Sequence, residues 1–217
     1  MESPICSGNA LQNDPAFRLI ETLGWHPGEG FRHQKQHLAR MERSAAEFGI
    51  AVDPNQIRRI LEKVAGDRPL RCRLTLDVGG QAELTQTPLA GNPSEWRLGI
   101  ADTRLDASDV WLRHKTTRRA LYDQARATMS ADLDELLFLN GRAELCEGTI
   151  TNIFVSRTGG ELVTPPLSSG LLPGVLRQVM LDQGNCSEAV LNLQDLREAR
   201  AIYMGNSLRG LIPTRLV

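Results

Sequence analysis

Lys115 stands in the run WLRHKTTRR, among Arg113, His114, Arg118 and Arg119. Neighbouring positive charge lowers the cost of neutralising an amine, and neutral lysine is the form that attacks an aldehyde to make an imine. A solvated helix face is the ordinary reading of such a charge run, so the cluster points to chemistry only in company. Glu147-Gly148 ends a strand pattern and precedes the polar turn Thr149 to Asn152. A carboxylate there suits the protonated nitrogen of a pyridine ring, although Glu before Gly is also a plain turn signal. LLPGVLR, Leu171 to Arg177, has the form of a tight turn opening a helix, so the N–H groups of Val175 and Leu176 favour a phosphate. GNSLRG, Gly205 to Gly210, offers Asn206 and Ser207 to the same anion, and Arg40 can supply charge.

The elements that must position these groups are legible as patterns. Phe17 to Trp25 reads as a strand and His26 to Gly30 as a turn; Leu38, Met41, Ala45 and Phe48 then recur at helical spacing in a helix from Gln36 to Phe48, with Arg40 beside the apolar stripe. Asp53-Pro54 caps a second helix that carries Ile57, Ile60, Leu61 and Val64 and stops at Gly66. Leu70 to Val78, Gly79-Gly80 and QAELTQ form a hairpin pattern, and Trp96 to Ala101 is a further strand. These predict an N-terminal α/β lobe of about residues 1–102. A helix from about Thr117 to Met129 opens a strand-rich C-terminal lobe of about residues 108–217, which carries Lys115. Its strands are Leu136 to Leu139, Ala143 to Cys146, Ile150 to Val155 and Glu161 to Thr164, turning at Asn140-Gly141 and Gly159-Gly160. A helix follows into Met180, then a charged helix from Leu193 to Arg200, with Ala201 to Met204 as the last strand.

Composition narrows the partner class. The chain has 217 residues, 41% hydrophobic and 24% charged, which suffices for a sizeable core. The formal charge is −1, from 25 Lys+Arg against 26 Asp+Glu, so no global positive field exists for nucleic acid or an anionic membrane. The first fifteen residues lack a basic, then apolar, signal pattern, and no window resembles a membrane span; a cytoplasmic protein acting on a small molecule is the expectation. Cys6, Cys72, Cys146 and Cys186 lack metal-site or disulfide-scaffold spacing and read as buried or neutral thiols; no metal site is expected.

Taken in order, LIETLGW, HLARMERSAAEFG, HKTTRRALYDQA, DELLFLNGRAELCEGTITNIFV, TPPLSSGLLPGVLR and YMGNSLRGLIP resemble the fold-type IV pyridoxal-phosphate enzymes. That family includes branched-chain and D-amino-acid aminotransferases and 4-amino-4-deoxychorismate lyases. The resemblance implies an α+β, two-lobed fold like that of the D-amino-acid aminotransferases, with pyridoxal 5'-phosphate between the lobes, in a homodimer. Carried over by motif, it implies that Lys115 bonds the cofactor as an imine, that Glu147 pairs with the pyridine nitrogen and that Arg40, in HLxR, binds the phosphate. Leu172 would pack on the ring, the Val175 and Leu176 amides would complete the phosphate cradle with Asn206 and Ser207, and Asn152 would hold the Glu147 loop.

Two departures bear on the reaction. Asn206-Ser207 stands where the branched-chain enzymes have a Thr turn, and Ala120 where they have a Tyr. The lyases resemble the chain better, with an Asn turn at that place and an arginine matching Arg119. The expected activity is conversion of an amino substrate, 4-amino-4-deoxychorismate, to 4-aminobenzoate and pyruvate, a step of folate synthesis. The alternatives are a class IV aminotransferase acting on branched-chain or D-amino acids, or a catalytically idle cofactor-binding module. Arg209, Arg119, Arg32 and Arg73 are candidates for the substrate's carboxylates, since arginine binds carboxylates bidentately.

Overall fold

A computed structural model describes Leu11 and residues 14–217. The chain divides into two compact units. One holds the described residues up to Ala90 together with His114–Arg118; the other holds Gly91–Arg113 and Arg119–Val217. Among the described residues no helix is long and apolar enough to cross a membrane.

The first unit is an antiparallel sheet ordered β2-β1-β3-β4, from β1 (Arg18–His26), β2 (Gly30–Phe31), β3 (Leu70–Asp77) and β4 (Ala82–Pro88). Leu19, Leu23, Cys72, Leu74 and Leu76 alternate along β1 and β3 and are buried, as period-2 patterning requires. Each such side chain removed from water contributes about 1.5–3 kcal/mol. Helix α1 (Gln34–Glu47) buries His37, Arg40, Met41, Ser44 and Ala45. The buried stripe is therefore mostly polar, and Leu38, expected within it, lies at its margin. Helix α2 (Pro54–Leu61) begins as its sequence dictates, with the Asp53 carboxylate accepting the Asn55 N–H at 2.9 Å.

The second unit is built on an eight-stranded sheet: β5 (Trp96–Leu105), β6 (Glu135–Asn140), β7 (Leu145–Gly148), β8 (Asn152–Ser156), β9 (Leu162–Thr164), β10 (Ser187–Glu188), β11 (Ala201–Asn206) and β12 (Gly210–Leu216). The order is β10-β9-β8-β11-β12-β5-β6-β7, and β7 also pairs with β8. That last pairing closes six strands into a ring and removes their edges. Leu98, Leu137, Leu139, Ile153, Val155, Met204 and Ile212 form its main apolar cluster. Helices α3 (Ala120–Thr128), α4 (Val175–Asp182) and α5 (Leu193–Arg197) accompany the sheet. Cys72, Cys146 and Cys186 are buried free thiols, as expected, and Cys6 lies outside the described residues.

Several elements differ from the sequence reading for local reasons. Trp96–Leu105, grouped by pattern with the first lobe, pairs in parallel with β6 and β12 in the second sheet. The expected helix from Thr117 starts at Ala120, because Thr116 bridges to Leu19 and the Thr117 N–H donates to Arg18 O at 2.9 Å, which holds the segment extended. A strand follows the one expected to be last: Gly210–Leu216 contains Pro213, a residue that argues against a strand in sequence, yet Ile212 and Thr214 on either side are buried in the ladder. The Asn140-Gly141 turn is not a two-residue hairpin. The Asn140 side chain accepts the N–H groups of Arg142 and Glu144, and Ala143, not glycine, takes the left-handed conformation at φ 59°.

Ala143 is exposed, so its left-handed backbone is strained without compensation from packing. Ala143→Gly is expected to raise stability by about 0.5–1 kcal/mol in urea unfolding. A destabilised variant would contradict the turn geometry.

Candidate active site

In the first unit, Lys115 is half-buried and its backbone is fixed to β1: the Lys115 carbonyl accepts the Ile20 N–H at 2.8 Å beside the Leu19–Thr116 bridge. His114 anchors the same segment to α1, with Nδ1 3.0 Å from Ser44 Oγ and its ring 4.6 Å from that of Phe48. Arg40 lies one helical turn before Ser44 and is buried. Its Nε and Nη2 donate to the two oxygens of Glu21 at 2.8 and 2.6 Å, and His37 Nδ1 sits 2.6 Å from Glu21 Oε2. Burial opposes ionisation of Glu21, but the Arg40 charge and these hydrogen bonds prevail and bring its pKa down to about 2. Arg40 is thus aimed by a buried carboxylate that the sequence reading did not single out. The signal was available, since Glu21 occupies the same buried parity as Leu19 and Leu23.

In the second unit, strand register assembles the other candidates. Glu147 pairs with Asn152, and Asn152 pairs with Gly205, so three adjacent strands bring these residues into one row, next to Asn206. The start of α4 lies against that row. A Cβ on Gly174 would collide with the Asn152 amide oxygen, and one on Gly205 would press on Leu176 Cδ2 at 3.0 Å and Gly210 O at 2.9 Å. Glu147 accepts the Tyr122 hydroxyl at 2.6 Å on one oxygen and the Leu172 N–H at 3.1 Å on the other. Asn152 Nδ2 donates to Leu172 O at 3.1 Å, so this residue holds the segment before α4 as well as standing opposite Glu147. Gly174, the N-cap of α4, offers no side-chain cap to the first turn that includes Val175 and Leu176. Asn206 accepts the N–H groups of Leu208 and Arg209 and donates to Ile150 O at 3.1 Å, which ties the tip carrying Ser207 to the turn after Glu147.

That turn hangs on Glu135, another residue missed in sequence. Fully buried, Glu135 accepts from the Thr149 N–H and hydroxyl, the Ile150 N–H and the Thr151 hydroxyl, and pairs with Arg126 at 3.6 Å. Arg119 donates to Thr149 O at 2.9 Å and to Asp123 at 2.7 Å, while Arg209 stacks on Trp96 and bonds Asn92. Arg32, exposed, pairs with Glu29. A lone acid within an apolar strand such as ELLFLN is the sequence signal for a buried organising carboxylate.

The donor set fits an aromatic ring bearing a phosphate. It combines a buried carboxylate for a ring nitrogen, a helix start without a side-chain cap and a small-residue hairpin tip against which that helix packs. A model of the family described as amino-transferase class IV matches residues 18–217.

The chain belongs to the class IV aminotransferase family.

Similar proteins agree with that membership. The class IV chain is 26% identical over 183 residues to a "Putative aminodeoxychorismate lyase" of Schizosaccharomyces pombe, covering 80% of this chain and 79% of that one. A crystal structure of a "Putative amino-acid aminotransferase" from Mesorhizobium loti superposes with a TM-score of 0.89 at 46% identity, over 93% of this chain and 100% of that one. The 4-amino-4-deoxychorismate lyase of Pseudomonas aeruginosa superposes at 0.79 with 25% identity, over 100% and 87%. The architecture of the class IV chain is accordingly the α+β fold-type IV arrangement.

The Glu21 cluster gives a stability test. Its carboxyl is depressed from 4.5 to about 2, so its contribution is complete above pH 4.5 and is lost as pH falls toward 2. Glu21→Gln removes the buried ion pair with Arg40 and is expected to cost about 3 kcal/mol near neutral pH. The gap between variant and wild type should close on acidification through that window, as measured by urea unfolding; a gap independent of pH would refute the ion pair's role.

Proposed function

We propose that this class IV protein is a lyase that converts 4-amino-4-deoxychorismate to 4-aminobenzoate and pyruvate. The observation that carries the reading is the pair of departures at Asn206-Ser207 and at Ala120, where the transaminating members resembled in sequence have Thr and Tyr. Tyr122, two positions further on, is committed to Glu147. The Schizosaccharomyces and Pseudomonas relatives support the same choice.

The cofactor is pyridoxal 5'-phosphate. When bound, it supplies an electron sink at its protonated ring. In the proposed roles, Lys115 Nζ would hold the cofactor at its aldehyde carbon. The Lys115 amine, when free, would take the proton from the carbon bearing the substrate nitrogen. Glu147 would keep a proton on the ring nitrogen, and Arg40, the Val175 and Leu176 N–H groups, Asn206 and Ser207 would bind the phosphate. Leu172, whose backbone is clamped between Glu147 and Asn152, would pack on the ring. The ring–oxygen bond of the substrate breaks, the enolpyruvate leaves and ketonises to pyruvate, and aromatisation makes the cleavage irreversible.

An aminotransferase on the same scaffold is the second reading, favoured by the 46% identity to the Mesorhizobium structure. A lyase has no second half-reaction, so purified protein should release 4-aminobenzoate and pyruvate in equal amounts with no keto acid added. A requirement for 2-oxoglutarate or pyruvate as acceptor, with no 4-aminobenzoate formed, replaces the lyase by the transaminase. Lys115→Ala should lose the visible absorbance of bound cofactor and nearly all turnover while remaining folded. Borohydride trapping of cofactor on a different lysine of that variant would refute the assignment of Lys115.

A further inference from the structure

Tyr122 touches Glu147 and has no part in the roles above. It sits in the first turn of α3, and its ring packs edge-on against the buried Phe138, 5.2 Å between centroids at 75°, with the Arg119 guanidinium 5.6 Å from the ring centre. Two neighbours thus fix the ring, and the hydroxyl reaches Glu147 Oε1 at 2.6 Å. The opposite oxygen takes the Leu172 N–H, so both oxygens of the carboxylate accept a hydrogen bond. Burial, and the negative charge of Glu147, push the Tyr122 phenol far above its usual range, which leaves it a donor at every working pH.

We propose that Tyr122 is a positioning residue: by donating its hydroxyl hydrogen to Oε1 it holds Glu147 anionic and oriented, so that the proton shared with the cofactor's ring nitrogen stays on that nitrogen. The proposal rests on the cofactor reading above. Its physical basis is competition for one proton between two bases. A carboxylate relieved of a short hydrogen bond becomes more basic and draws the proton to itself, which leaves the pyridine ring neutral and a poorer electron sink. Arg113 also acts on Glu147 electrostatically, and the charge of Glu147 helps keep the Cys146 thiol neutral. Neither needs to change for this effect, because the bond removed is the phenol's alone.

Tyr122→Phe deletes the hydroxyl and keeps the ring that Phe138 and Arg119 grip. The test loads wild type and variant with pyridoxal phosphate labelled with nitrogen-15 in the ring and reads the nitrogen chemical shift of the bound cofactor. Wild type should give a pyridinium-like value, and Tyr122→Phe a value moved toward neutral pyridine. The turnover number should fall by about ten- to a hundredfold, the worth of a hydrogen bond to a charged group, with KM changed by less than about threefold. Phe138→Leu loosens the ring packing but retains the hydroxyl, and should leave the nitrogen shift at the wild-type value. An unmoved shift in Tyr122→Phe, or an equal movement in Phe138→Leu, overturns the proposal even if 4-aminobenzoate is formed normally. A moved shift in a protein that forms no 4-aminobenzoate supports the role of Tyr122 and overturns the lyase reading alone.

Discussion

A single buried carboxylate, Glu135, carries the geometry on which the second unit's site depends. The turn after Glu147 lacks a continuous sheet ladder, and its backbone and hydroxyl donors converge instead on Glu135. A buried charge is costly unless hydrogen-bonded and paired, and here the turn supplies the bonds and Arg126 the counter-charge. The dependence runs both ways: the acid is tolerable only because the turn folds around it, and the turn has a fixed shape only because the acid is there. Asn206 reaches the same turn at Ile150, so the hairpin tip inherits its position from this network.

The first unit solves a similar problem with different pieces. Glu21 is as deeply buried as Glu135, but its donors come from one helix, His37 and Arg40 one turn apart. An arginine oriented by a carboxylate presents its charge in a defined direction, whereas a free one would sample many rotamers. The segment around Lys115 is fixed less by side chains than by backbone, through its carbonyl and the neighbouring bridge to β1.

Much of this was legible in the chain because motifs report local shape. The GLLPGVLR turn opens a helix where glycine and proline say it should, and EGTITN lies on a strand, a turn and a second strand. What sequence could not give was register. Glu147 and Asn152 pair locally, but Gly205 joins their row through a pairing between segments more than fifty residues apart, which no short pattern encodes. Glu21, Glu135 and Tyr122 were overlooked for a related reason: each is an ordinary residue whose importance lies in its burial and its distant partners. The strand Gly210–Leu216 was hidden by Pro213, because a rule about backbone donors is silent on which side of a strand needs them.

The closed ring of strands also orders events in time. β5 is bordered by β6 and by β12, and its pairing with β12 joins Trp96 to Thr214 across more than a hundred residues. During synthesis β5 and β6 exist long before β12, so one rim of β5 stays open, with its N–H and C=O groups unsatisfied, until residues 210–216 emerge. The second unit therefore completes its ring late and in a single closing step, and the nascent chain must keep that rim from foreign strands in the interval.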